Sequence, residues 1–207
     1  YVTPALGVVV APVTNFAMHD REAGTVAVNT SVGAGRKLER VARNPSVALA
    51  FHTRSHSRTS RTEYALVQGT ASLSEPIDDY PTTVRERWER AAGSVADGPV
   101  GRRWLRVYHR RVEISVTVER VVVWPDLGCR GAFDVHGAPL PEAPPTPQAP
   151  PKNGTGSRIA HRRAARRARR MPDLLLGWVG TDGLPVVVPV GIAEVVEDAL
   201  VLDAPAG

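Results

Sequence analysis

Residues 29–51 read NTSVGAGRKLERVARNPSVALAF: the end of an apolar strand, a glycine pair, two adjacent cations, a short amphipathic stretch, an Asn-Pro stop and a second apolar strand. A helix over Lys37–Arg43 puts Leu38, Val41 and Ala42 on one side. Asn44-Pro45 ends it, because the residue before a proline is pushed out of the helical region. Arg36 and Lys37 stand where that helix begins. Cations there oppose the positive end of the helix dipole, by ~0.3–1 kcal/mol each, and a bound phosphate would reverse the sign. Free amides at a helix start, glycines that admit close backbone approach and two cations together make an anion site. The glycine spacing is neither a dinucleotide fingerprint nor a P-loop, so spacing alone leaves a phosphate loop and a solvated turn equally open.

On either side of this stretch, strands are expected at Gly7–Met18, Thr25–Thr30, Ser46–Thr53 and Glu63–Leu73. A helix follows over Pro76–Ala92, with Pro81 in its first turn, and a shorter one over 100–109. Trp88 and Trp104 fall in these helices and are expected to pack on the strands. Val112, Ile114, Val116 and Val118 then alternate with Glu113, Ser115, Thr117 and Glu119. That is the period-2 pattern of a half-buried strand, continued by Val121–Trp124. The sum is a mainly β, α+β chain: an antiparallel barrel with peripheral helices.

After Asp126 the composition changes. Seven prolines stand between Pro139 and Pro151, the mark of an extended linker. An arginine-rich helix and a valine-rich segment follow, with Thr181-Asp182-Gly183 as a hairpin turn. Val8–Val13 is similar to Val186–Val190, and AVNTSVGAG (27–35) to LVLDAPAG (200–207). The simplest account is a second, truncated barrel-like segment; chance likeness of valine-rich strands is the alternative. The expected organisation is a barrel domain over 1–125, a linker over 126–156, and over 157–207 the arginine helix with the start of the second barrel.

The 207 residues suit one domain or one and a half, and 43% hydrophobic residues supply a core. No apolar run approaches the ~20 residues of a membrane span, and no leader opens the chain, which places it in the cytoplasm. Cys129 is the single cysteine and excludes an internal disulfide or a cysteine metal cluster. Starting at Tyr1 and stopping at Gly207 just after an apolar strand, the chain reads as cut at both ends. Its net charge of +5 is local: residues 157–170 hold seven arginines and no acid, so the remainder carries −2. His52 and His56 are four apart but in a strand end and a loop, where that spacing does not converge on a metal, so no metal site is expected. Arg54, Arg58 and Arg61 in the same loop read as surface ahead of an anion contact.

The order of elements resembles the FMN-binding split β-barrel proteins of the pyridoxamine 5′-phosphate oxidase-like family. The likeness rests on Gly35-Arg36-Lys37, on Arg43-Asn44-Pro45-Ser46-Val47-Ala48-Leu49, on Val67-Gln68-Gly69-Thr70-Ala71 and on the closing strand Arg120–Trp124, and spans about residues 7–124. The resemblance implies that Arg36 and Lys37 hold the phosphate of FMN and that Thr30 and Ser31 contact the flavin side. It also implies a homodimer, or a pseudo-dimer within the chain. The chain departs from the family pattern where the oxidases carry an Arg before the loop and a Gln after it: the strand VAPVTNFAM has no base, and Tyr64 stands near the Gln position. A deazaflavin, or loss of the cofactor, is therefore the alternative to FMN, and vitamin B6 chemistry is not expected.

The implied function is an FMN-dependent oxidoreductase that passes hydride to or from a small molecule. The other class of reading is a non-catalytic split barrel that binds nucleic acid through the arginine helix, whose Ala160, Ala164 and Ala168 line one side. A solvated helix is preferred to that reading, so nucleic acid is not an expected partner.

Overall fold

A computed structural model describes residues 1–52, 60–78, 80, 84–86, 89, 98–143, 161–171, 173–196 and 199–205. Most of the helix expected over Pro76–Ala92 lies outside these residues, as do Arg54, His56, Arg58, Trp88, Ala160 and the prolines from Pro144 to Pro151.

The chain is mainly β and its sheets are antiparallel, as expected. In order the elements are β1 (Thr14–Asp20), β2 (Thr25–Ser31), a 3-10 turn (Val32–Ala34), α1 (Gly35–Arg43), β3 (Ser46–Phe51), β4 (Tyr64–Leu73), α2 (Pro99–His109), β5 (Arg111–Trp124), β6 (Asp134–Gly137), α3 (His161–Ala168), β7 (Leu175–Val179), β8 (Pro185–Pro189), β9 (Gly191–Val195) and β10 (Leu200–Asp203). One sheet runs β1-β2-β5-β4-β3, with β6 also on β5; β7–β8 and β9–β10 are separate pairs. The six-stranded sheet begins at β1 and ends at β3, so the expected barrel does not close.

The first strand starts later than expected. Val8-Val9-Val10 has no alternation to fix a face, and Pro12 has no N–H for a ladder. Val8 instead makes an isolated bridge with Val2, and the ladder to β2 begins at Thr14.

Two compact units divide the chain. One comprises Tyr1, 11–47 and 69–118; the other comprises 2–10, 48–68 and 119–207. This partition is interleaved, whereas the expected domains are consecutive.

In the first unit, β2 pairs with the opening half of β5, from Thr25 opposite Thr117 to Ser31 opposite Arg111. Val28, Val112, Ile114 and Val116 are buried in it, each burial contributing on the order of 1.5–3 kcal/mol. Val41 is the buried residue of α1. Trp104 does not pack as expected: it is 83% exposed on α2, and Val100, Val107 and Tyr108 are exposed beside it.

In the second unit, Tyr64, Leu66, Val122, Trp124, Cys129, Val187 and Val188 form one apolar core. The Tyr64 hydroxyl donates to the Val187 carbonyl at 2.7 Å, and its ring meets the edge of Trp124. Tyr64 is fully buried, a core residue where the resemblance set the flavin-contacting Gln. The turn at 181–183 joins β7 and β8 as read from sequence. Gly183 has φ +83°, and Asp182 Oδ1 accepts from the Leu184 N–H at 3.1 Å. Arg120 is buried on the same unit: it donates through Nε to Gln68 Oε1 at 2.7 Å, through Nη1 to the Pro139 carbonyl and through Nη2 to Asp182 Oδ2 at 2.6 Å. Gln68 passes the chain of bonds on, donating to the Pro185 carbonyl at 2.7 Å.

Candidate functional site

The candidate site forms in the first unit, where β2 ends and α1 begins. Thr30 is 5% exposed at the end of β2. The register of β2 on β5 sets Ser31 opposite Arg111, so the last residues of one strand and the first of the other share a corner. Ser31 closes that corner. Its hydroxyl donates to the Val107 carbonyl at 2.6 Å and accepts from the Gly33 N–H at 3.1 Å, which caps the 3-10 turn as serine caps do.

The turn delivers the chain into α1 with a bare start. Ala34 gives no side-chain cap, and no acid stands in the first helical turn. The space where a Gly35 side chain would stand is open to 4 Å, whereas Gly33 is crowded by Val107. An anion therefore has room to approach the first amides of α1 beside Gly35.

Lys37 turns back from α1 to β2. Its ammonium donates to Thr30 Oγ1 at 3.1 Å, and the side chain is half-buried. Partial burial, and after it the nearby Arg111 guanidinium, push its pKa below the ordinary value. Both causes disfavour the charged form. Among the described residues no carboxylate pairs with Lys37. The charge of an anionic ligand beside the ammonium would offset both effects.

Arg111 is the site residue that sequence reasoning missed. It is 5% exposed, donates through Nε to the buried Asn29 Oδ1 and through Nη1 to the Tyr108 carbonyl at 3.2 Å, and stacks on the Tyr108 ring with its guanidinium carbon 4.9 Å from the centroid. Arg110 next to it points elsewhere, to Asp78 at 3.0 Å on the surface. The signal was available in part: Arg110-Arg111 opens the one strand with unbroken alternation. What placed Arg111 beside Lys37 was the pairing register.

Of the four residues expected at the cofactor, the structure thus gathers Thr30, Ser31 and Lys37 in this corner, and Arg36 stands exposed on α1. Their chemistry suits an anionic group such as a phosphate: two cations, a hydroxyl and a helix start with no side-chain cap.

A separate cavity of about 250 Å³ lies in the second unit, lined by Leu127, Arg130, Leu174, Val190, Asp203 and Pro205 among others. Two of its charged groups, Arg130 and Asp203, pair with each other, and none of the four expected residues lines it. The Lys37 corner is the stronger candidate, because among the described residues no carboxylate pairs with the Lys37 ammonium, while Arg130 of the cavity is paired with Asp203. Among the described residues no three or more of His, Cys, Asp and Glu converge to hold a metal, and no helix is long and apolar enough to cross a membrane.

The chain matches no model of a known protein family and no curated protein.

Proposed function

We propose that the first unit binds FMN by its phosphate and that the chain is an FMN-dependent oxidoreductase acting on a small molecule. Lys37 carries the reading. A lysine drawn partly out of water toward an arginine is unfavourable without an anion, and the Thr30 hydroxyl holds it there. The resemblance to the split-barrel flavoproteins, through Gly35-Arg36-Lys37 and its neighbouring strands, names the anion as the FMN phosphate.

Bound flavin would supply the hydride chemistry. The chain's residues bind and orient: Lys37 and the α1 amides take the phosphate, Arg36 supplements them from the helix surface, and Thr30 fixes the ammonium. Arg111 raises the local positive potential from a position locked by Asn29 and Tyr108. A homodimer and a cytoplasmic location belong to the same proposal.

The absorption spectrum of the purified full-length protein, followed by titration with FMN, tests the reading. Yellow protein, or saturable binding lost in Lys37→Met, supports it. Colourless protein with no affinity for FMN or a phosphorylated deazaflavin ends it, and tighter binding of the deazaflavin changes the cofactor but keeps the phosphate site.

A further inference from the structure

The function proposed above leaves the arginine-rich segment unused. The stretch from Ala143 to Pro172 holds seven arginines, one lysine and no acid. Within it α3 spans His161–Ala168, and the structure decides how that helix presents its charge. Ala165 is 2% exposed, and Ala164 and Ala168 are half-buried beside it. This alanine side lies against β9 and β10. Arg162, Arg163, Arg166 and Arg167, with Arg169 and Arg170 just past the helix end, are all exposed. At ~100° per residue these six fall within an arc of about 160° and the three alanines fill the opposite side. Among the described residues none of the six is in an ion pair.

A helix built this way is a fixed cationic ridge. Its small residues are consumed in packing, so its arginines face outward together, over roughly 12 Å of helix at ~1.5 Å per residue. That geometry sorts the polyanions it could meet. A helix that binds a bilayer surface needs an apolar face to sink between headgroups, and here the non-arginine face is already buried. A nucleic-acid backbone needs no such face. It offers a dense line of phosphates, and planar guanidinium groups bind phosphate oxygens through two parallel hydrogen bonds. The ridge lacks aromatic side chains and polar amides that read bases, so its contacts are with phosphates and carry no sequence preference.

We propose that the exposed arginine face of α3 is a sequence-independent binding surface for the phosphate backbone of duplex nucleic acid. The proposal does not depend on the flavin reading, since the ridge and the Lys37 corner share no residue.

The test uses the full chain and a fluorescein-labelled DNA duplex of arbitrary sequence, with fluorescence anisotropy across a sodium chloride series. With about four phosphates neutralised, affinity should fall on the order of a hundredfold between ~50 and ~200 mM salt. The variant with Arg162, Arg163, Arg166 and Arg167 all changed to Ala should bind at least about tenfold more weakly at low salt. Alanine favours helix, so its circular dichroism should match the parent. The corresponding four-lysine variant keeps the charge and should keep the salt slope. An unlabelled duplex of unrelated sequence should compete equally. No binding, binding unchanged in the alanine variant, or a salt slope lost in the lysine variant overturns the proposal. So does binding to phosphatidylglycerol vesicles without binding to the duplex, which would make the ridge a membrane contact.

Discussion

Arg120 and Asp182, 62 residues apart in sequence, meet at 2.6 Å, and Arg120 is buried to 1% of its surface. A guanidinium out of water is tolerable only when its donors are taken. Arg120 meets that condition through Gln68, Pro139 and Asp182 together. Asp182→Ala removes the charge partner and the acceptor for the Leu184 N–H in one step. Breaking a buried pair costs ~3–5 kcal/mol, and the partial exposure of Asp182 puts the expectation at the lower end, about 3 kcal/mol. Urea unfolding of both proteins measures it. An unchanged midpoint would mean that water replaces the carboxylate.

At the candidate site, Lys37→Met should weaken FMN by roughly 10- to 150-fold, the loss of a charge-assisted contact worth ~1.5–3 kcal/mol. It should not destabilise the ligand-free fold, because it also removes a half-buried charge beside Arg111. Thr30→Val takes away the hydroxyl that holds Lys37 and should weaken FMN less than Lys37→Met does. Quenching of flavin fluorescence gives the affinities and thermal unfolding the stabilities. Equal binding by all three proteins removes Lys37 from the site.

The lowered pKa of Lys37 gives the site a pH dependence of known sign. Its ordinary value is 10.5, and burial and then Arg111 hold it lower in the folded chain. Below the folded-state pKa both folded and unfolded chains carry the proton, and the folded chain bears the penalty of the charge. Between that pKa and 10.5 only the unfolded chain keeps the proton, so the contribution of Lys37 to stability rises with pH across the window. FMN binding needs the ammonium and should weaken over the same window. A pH series of FMN titrations should show this fall, and Lys37→Met should flatten it.

Two glycines separate backbone strain from collision. Gly183 has φ +83° with open space where a side chain would go, so Gly183→Ala should cost only the left-handed conformation, about 1–2 kcal/mol. Gly137 has φ +92°, and a Cβ there would lie 2.3 Å from the Glu119 carbonyl oxygen. Gly137→Ala must therefore displace β6 from β5 as well, and should lower the melting temperature more than Gly183→Ala does.

The sequence made visible what depends on local pattern. Val112, Ile114, Val116 and Val118 marked β5, and Asn44-Pro45 marked the end of α1, because strand parity and proline geometry act within a few residues. Continued to 120, the same parity places a charged residue on the buried face, a legible sign that Arg120 needed a partner; which partner depended on the fold bringing Asp182 back. The corner of Thr30, Ser31 and Lys37 was read from a loop, whereas Arg111 entered it through the register of β2 on β5. The start of β1 was misread because a run of three valines ahead of Pro12 has no period. Trp104 was expected inside on hydrophobicity alone, and size does not decide burial when the helix face turns outward.

The interleaving of the two units bears on how this chain can be altered by recombination. Residues 2–10, 48–68 and 119–207 make one unit and the remainder the other, so the backbone passes between them five times and no single cut excises either. A truncation at residue 125 would discard Asp182, Pro139 and the Val187 carbonyl, removing two of the three acceptors of Arg120 and the carbonyl that accepts from the Tyr64 hydroxyl. The C-terminal segment is thus not a cassette that shuffling could add or delete: it and the strands it completes must be inherited together.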